Sequence, residues 1–180
     1  MRYLSSLLLF SLLLLLQPHT AAAVKIVATL PALGQIAEGV AGAYADVRVL
    51  AHVGQDPHFV PPKPTLARHL ADADLLVAAG LGLEVGWLPP LLEASRNMRI
   101  RPNTAGYIDG SMIIPRVLGK PRGKISRELG DIHPEGNPHW WLDPENGVRL
   151  ARALAKKLAV LDPAHAGDFR AHAEQLAAEV

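Results

Sequence analysis

The sequence predicts an α/β fold with a mostly parallel sheet flanked by helices. Short aliphatic segments of strand character alternate with helical patterns, the helical patterns begin near prolines, and glycine-rich and proline-rich loops separate them. This alternation is typical of βαβ units, which place parallel strands side by side and cover them with crossover helices. Ligands of such sheets bind beyond the carboxyl ends of the strands, so we expect a functional site in the loops that follow the strands.

Residues 1–23 predict a secretory signal peptide. Arg2 is their only charged residue, Leu7 to Leu16 is an apolar run broken only by Ser11, and three alanines end the segment at Ala23. A basic start, a short apolar centre and a small-residue end are typical of a cleaved leader. The run is also shorter than the roughly 20 residues that span a bilayer. We expect cleavage after Ala23 and a periplasmic mature chain that is not itself inserted in the membrane.

The composition narrows the classes of function. Of 180 residues none is cysteine, and beyond the leader the chain carries 17 basic and 17 acidic residues. The absence of cysteine excludes disulfides, thiolate metal sites, cysteine nucleophiles and an acylated cysteine anchor. The balanced charge gives no electrostatic footprint for nucleic acid, so we expect no nucleic-acid partner.

The predicted elements alternate from the start of the mature chain. Strands are expected where aliphatic residues run together, and helices where apolar residues recur every three or four positions after a proline. In chain order these are a strand at 25–30, a helix at 31–42, a strand at 47–51, a short helix at 66–73, a strand at 74–80, a helix over 81–97 that Pro89-Pro90 interrupts, and one or two strands within 99–114.

The second half of the chain predicts a long loop followed by two helices. Residues 115–138 are basic, glycine-rich and polar, which indicates an excursion from the core. A nucleic-acid patch is disfavoured there because no aromatic residues interleave the cations. Asp143-Pro144 and Asp162-Pro163 each combine an N-cap with a proline at the first helical position, so we expect helices to begin at both.

Two histidines are candidate metal ligands. His58 and His139 each follow a proline that is itself preceded by Asp56 or Asn137. Proline restricts the backbone and the Asx side chain can bond a local N–H, so each imidazole is carried by a stiff loop. Neutral imidazole is a good ligand for zinc and other divalent metals. Two ligands do not complete a zinc site, however, and two unrelated turn histidines remain an alternative.

The remaining histidines are interpreted differently. His69, His165 and His172 lie in helical patterns and are expected at the surface. His133 precedes the second candidate loop and is a possible auxiliary or entry ligand. Trp87 and Trp141 are expected to fill the core near the site.

Longer motifs around both candidate histidines resemble the periplasmic zinc/manganese-binding receptors of ABC transporters (the cluster A-I, or cluster 9, solute receptors). Residues 54–62 (GQDPHFVPP) are similar to the first ligand loop of that family, and residues 137–144 (NPHWWLDP) are similar to the second. Residues 82–88, after a strand that ends in glycine, also resemble a family segment. The resemblance covers residues 24–180 in the expected order.

The resemblance implies a bilobal receptor whose two α/β lobes are joined by a long helix, with the metal in the cleft between them. It assigns residues 24–161 to the N-terminal metal-binding lobe and 162–180 to the start of the linking helix. It maps the first two histidine ligands onto His58 and His139. The third histidine and the carboxylate ligand of the family come from the second lobe, which is absent from this chain.

The expected function is therefore capture of Zn²⁺, or alternatively Mn²⁺, and its delivery to an ABC transporter permease, without catalysis. Zinc is preferred because histidine nitrogens suit it better than manganese. Two alternatives remain: a secreted metal-dependent hydrolase, for which no H-E-x-x-H or G-x-S-x-G motif is present, and a truncated half-receptor without transport function. The half-receptor is expected to bind metal weakly and to associate through its last helix.

Overall fold

A four-stranded parallel sheet forms the centre of the computed structural model, which describes residues 22–121 and 133–180. The strands lie in the order β2-β1-β3-β4, and every neighbouring pair is parallel. Helices flank the sheet, so the predicted fold class is confirmed. The strands are β1 (Val24–Ala28), β2 (Ala45–Val49), β3 (Leu75–Ala78) and β4 (Tyr107–Asp109), and the helices are α1 (Pro31–Ala41), α2 (Pro64–Ala71), α3 (Leu88–Ser95), α4 (Pro144–Leu161) and α5 (Ala166–Ala178).

Prolines begin helices α1 to α4, each of which carries proline in its first turn. Proline suits this position because its missing N–H has no intrahelical partner there and its φ is already helical. Pro89 and Pro90 were predicted to interrupt a helix over 81–97, and this was wrong. They lie in the first turn of α3, while residues 81–87 form turns.

The core lies along the two central strands. All of β3 and most of β1 are buried, as expected for strands covered on both faces. The helices contact one another in two groups, with α1, α4 and α5 packed together and α2 packed on α3. Trp87 and Phe169 are the largest fully buried side chains of the described residues.

The last two helices pack against each other and onto α1. Asp143 caps α4 by accepting a hydrogen bond from the Glu145 N–H at 3.1 Å. A 3-10 turn at Pro163–His165 precedes α5, and Arg152 of α4 pairs with Glu174 of α5 at 2.7 Å. Helix α5 is thus attached to the same body as the sheet.

Two histidines of this region are more buried than predicted. His165 stacks on Tyr44 with ring centroids 3.8 Å apart, and the His172 ring donates from Nδ1 to the Val40 carbonyl at 3.0 Å. Both rings are half-buried instead of solvated. The helical pattern alone could not show this, because the contacts come from α1 and the turn after it, about 130 residues earlier in the chain.

Some sequence predictions fall outside the described residues. These are the signal peptide over residues 1–21 and the middle of the polar excursion, residues 122–132. Within 22–121 and 133–180, no helix is both long and apolar enough to cross a membrane.

Candidate metal centre

The candidate site lies at the carboxyl edge of the sheet. β1 pairs with β2 on one side and with β3 on the other, so the chain reverses its direction of winding between β1 and β3. In open α/β sheets such a switch point forms a crevice for ligands. His58 lies in the loop after β2, and His139 lies just before the 3-10 turn that leads into α4.

The loop that carries His58 is fixed by side-chain bonds to its backbone. Asp56 Oδ1 accepts from the His58 backbone N–H at 2.9 Å and lies 2.7 Å from Nδ1 of the same histidine. The buried Trp87 donates from Nε1 to the Pro57 carbonyl at 2.9 Å, which ties this loop to the segment after β3. The backbone N–H and the ring of His58 both lower the pKa of Asp56, so the Asp56 carboxylate is ionised and only accepts.

The loop that carries His139 repeats this arrangement. Asn137 Oδ1 accepts from the His139 backbone N–H at 2.9 Å and lies 2.8 Å from its Nδ1. Trp140 is buried and donates from Nε1 to the Ala79 carbonyl at 2.8 Å. Trp141, which was also expected in the core, is half-buried, packs against the core and lies beside His139, whereas the buried Trp140 anchors the loop.

These bonds select one tautomer in each histidine. An oxygen of Asp56 or Asn137 can only accept, so Nδ1 of each ring carries the proton. The Nε2 atoms of His58 and His139 are then left with lone pairs, which is the form that binds a metal. A bond of this kind also raises the basicity of the ligating nitrogen.

The two predicted ligands converge. The ring centroids of His58 and His139 lie 5.6 Å apart, as expected if both loops meet at one edge of the sheet. Partial burial lowers the pKa of His139, and the nearby His58 and His133 lower it further, so the neutral ring is favoured. Among the described residues, no three His, Asp or Glu side chains are already arranged as a metal site.

His133 lies closer to His58 than His139 does. The Nε2 atoms of His58 and His133 are 3.0 Å apart, and the ring centroids are 5.1 Å apart. Nδ1 of His133 lies 3.1 Å from the carbonyl oxygen of Leu81. Residues 80–82 all have positive φ, two of them glycines, and this turn after β3 presents the Leu81 carbonyl to His133.

Sequence reasoning overlooked a buried carboxylate beneath the site. Glu84 is 4% exposed and accepts hydrogen bonds from the Thr29 hydroxyl at 2.6 Å and from the N–H groups of Ala79 and Gly80 at 2.7 and 3.1 Å. Burial raises its pKa, and the three donors partly oppose that rise. Glu84 therefore joins the ends of β1 and β3 at the switch point. The segment 81–97 contains two acidic residues, Glu84 and Glu93, and no local pattern marks Glu84 for this role.

A model of the family described as zinc-uptake complex component A, periplasmic (ZnuA) matches residues 26–180. The chain belongs to this family. The match includes both candidate histidine loops and the sheet that carries them.

Curated relatives include manganese and metal ABC transporter substrate-binding lipoproteins. PsaA of Streptococcus pneumoniae is 31% identical over 142 residues, which cover 77% of this chain and 42% of the relative. SsaB of Streptococcus sanguinis is 29% identical over 161 residues, which cover 86% of this chain and 48% of the relative. The chain thus spans somewhat less than half the length of these relatives.

Solved structures of ZnuA share the fold. A zinc-bound deletion mutant of ZnuA superposes with a TM-score of 0.71 and 30% identity over 87% of this chain and 54% of that one. A second ZnuA crystal structure gives a TM-score of 0.68 at 30% identity, over 87% of this chain and 56% of the other. A manganese-bound periplasmic protein from Candidatus Liberibacter asiaticus, 23% identical with a TM-score of 0.67, shares the fold.

Proposed function

We propose that this chain is the metal-binding N-terminal lobe of an extracytoplasmic receptor that binds a divalent metal ion and passes it to an ABC importer. The observation that carries the proposal is the pair of imidazoles, His58 and His139. Each is held in the metal-binding tautomer by an Asx side chain, and their rings meet 5.6 Å apart at the carboxyl edge of the sheet. The ZnuA family match supports the same assignment.

We propose zinc as the preferred ion and manganese as the alternative. The donors in this chain are imidazole nitrogens, which suit zinc better than manganese. The relatives support both ions, because the family model is named for zinc uptake and PsaA for manganese. A tetrahedral zinc needs further ligands beyond two imidazoles, and water or residues outside this chain can supply them.

The proposed partner is the permease of an ABC transporter, and the proposed location is the periplasm after cleavage of the leader behind Ala23. The names of the relatives as transporter substrate-binding proteins support this partner. For the domain organisation we retain residues 24–161 as the metal-binding lobe and 162–180 as the start of the linking helix. The hydrolase alternative is disfavoured, because the family and the relatives are metal-uptake components.

Calorimetric titration of the metal-free chain with Zn²⁺ and with Mn²⁺ tests the proposal. We expect zinc binding that His58→Ala and His139→Ala each weaken by at least about tenfold, the lower end of the cost of losing even an outer partner of a ligand. His52→Ala is the matched control, because His52 is exposed on the same loop as His58. If the folded chain takes up neither ion, the proposal is wrong.

A further inference from the structure

The contact between His58 and His133 poses a hydrogen-bonding problem. The carboxylate of Asp56 and the carbonyl of Leu81 can only accept, so Nδ1 of His58 and Nδ1 of His133 each carry a proton. In the neutral rings both Nε2 atoms therefore carry lone pairs, and the two atoms lie 3.0 Å apart. Two acceptors cannot bond each other, so a positive species between them is needed to make the contact favourable.

The separation of the two nitrogens suits a shared metal ion. Zinc binds imidazole nitrogen at about 2.0–2.1 Å, so two ligands on one ion lie roughly 2.9 Å apart at a right angle and roughly 3.3 Å apart at the tetrahedral angle. The observed 3.0 Å falls within this range.

We propose that His133 binds the incoming divalent cation together with His58, through Nε2 of both rings. This inference rests on the proposed function and adds a third imidazole from this chain to the ligands of that site. Metal-binding histidines usually donate a hydrogen bond from the ring nitrogen that does not bind the metal. The Leu81 carbonyl accepts such a bond from Nδ1 of His133, and it fixes the tautomer as Asp56 fixes that of His58.

The surroundings connect this pair to His139. His133 and His139 line one open depression of about 400 Å³, together with Asn137 and Pro138. An ion held by His58 and His133 therefore lies near the third ring, whose centroid is 5.6 Å from that of His58.

Long-range ¹H–¹⁵N NMR of the imidazoles during titration with Zn²⁺ alone tests the inference directly, because ligation shifts the resonance of the nitrogen that binds. We expect Nε2 of His133 to shift together with Nε2 of His58. We also expect His133→Ala to weaken zinc binding by at least about tenfold. His69→Ala, which removes another half-buried histidine on α2, should leave zinc binding unchanged.

The outcomes separate the inference from the function on which it rests. If Nε2 of His58 and His139 shifts with zinc while that of His133 keeps its position, the pair holds a proton and not a metal, and only the inference is overturned. A loss of affinity in His133→Ala without a shift of His133 Nε2 assigns the residue a structural role and also overturns it. If no imidazole responds to zinc, the inference and the proposed function both fail.

Discussion

One side chain performs two tasks in each histidine loop. Asp56 and Asn137 each use a single oxygen to accept from the backbone N–H and from Nδ1 of the histidine two residues later. The first bond shapes the turn and the second selects the tautomer. The loops differ in charge, because one oxygen belongs to a carboxylate and the other to an amide. The Asp56 carboxylate should therefore strengthen His58 as a metal ligand more than the Asn137 amide strengthens His139.

Asp56→Asn tests this difference in charge. The amide of Asn137 already shows that asparagine can make both bonds, so the loop should keep its shape. Zinc affinity should fall about 10- to 100-fold, because the outer carboxylate strengthens its histidine as a ligand. Calorimetry measures this effect, with Asp72→Asn as a control that removes the same charge at an exposed helix end. An unchanged zinc affinity in Asp56→Asn would show that an amide supports His58 as a ligand as well as the carboxylate does, and would contradict the prediction.

At the residue scale, the sequence predicted the stiff loops around the two candidate histidines but not the contacts between residues that lie far apart in the chain. The Asx-Pro-His pattern acts within three residues, so the stiff loops of His58 and His139 could be inferred from it. The contact of His133 with His58 joins positions 75 residues apart. The choice of Trp140 over Trp141 for the core depends on the carbonyl of Ala79, which lies 61 residues earlier. No local pattern encodes either contact.

At the scale of elements, Glu84 connects the two strands that border the crevice, β1 and β3. Its carboxylate accepts from Thr29 at the end of β1 and from Ala79 and Gly80 at the end of β3. The same segment continues to Trp87, which binds the Pro57 carbonyl in the His58 loop. The position of His58 relative to the sheet therefore depends on this short connection after β3.

Glu84→Ala should lower the free energy of unfolding by about 3 kcal/mol, because the buried Thr29 hydroxyl and Ala79 N–H and the half-buried Gly80 N–H lose their acceptor. Each unsatisfied buried donor costs about 1–3 kcal/mol. Urea unfolding measures the loss. Glu38→Ala on the exposed face of α1 is the control and should change the free energy by no more than about 0.5 kcal/mol. A loss in Glu84→Ala as small as that of the control would contradict the assigned role.

The difference in free energy of unfolding between wild type and Glu84→Ala should depend on pH. Burial raises the pKa of Glu84 in the folded state above its ordinary value of 4.5. The folded chain then holds the proton to higher pH than the unfolded chain does. The stabilisation is full below the ordinary pKa and is lost as pH rises through the folded one. The difference between wild type and Glu84→Ala should therefore be larger near pH 4.5 than near neutrality.

Element type was easier to predict than element boundaries. The parallel strands and most helices follow from apolar runs and from prolines that begin helices. The second strand was placed at 47–51 and lies at Ala45–Val49, and the helix predicted from residue 81 begins at Leu88. The pairing with β1 runs from Ala45 to Val49 and sets the bounds of β2, and the positive φ of Leu81 and Gly82 is incompatible with a helix that begins at residue 81.

At the scale of the whole molecule, the described residues form one α/β body with the candidate ligands at one edge. The two helix groups cover the sheet and leave the carboxyl ends of its strands to the loops that carry the three histidines. The sequence predicts that the candidate ligands meet at one edge, because parallel βα units place all such loops on one side. The rigid body should therefore be stabilised by any ion that binds across those loops.

Zinc should raise the melting temperature of the chain. Free zinc at about 100 times its dissociation constant adds about 2.7 kcal/mol of stability. For a domain of this size that corresponds to an increase of about 5–10 °C. Differential scanning calorimetry measures the increase, and a chelator should reverse it. The double variant His58→Ala/His139→Ala should melt at the same temperature with and without zinc. A shift that persists in that variant would place the stabilising ion elsewhere.

The outer strand β2 has a consequence for how the chain behaves in concentrated solution. Among the strands that the structure describes, β2 has a neighbour on one side only, which leaves backbone groups open to pairing with another chain. Asp46 and Arg48 on this strand are half exposed and pair with each other at 3.0 Å. Charged side chains on an outer strand discourage edge-to-edge aggregation. At this edge of the sheet, Asp46 and Arg48 should thus help to keep the protein dispersed, although they take no part in holding a metal.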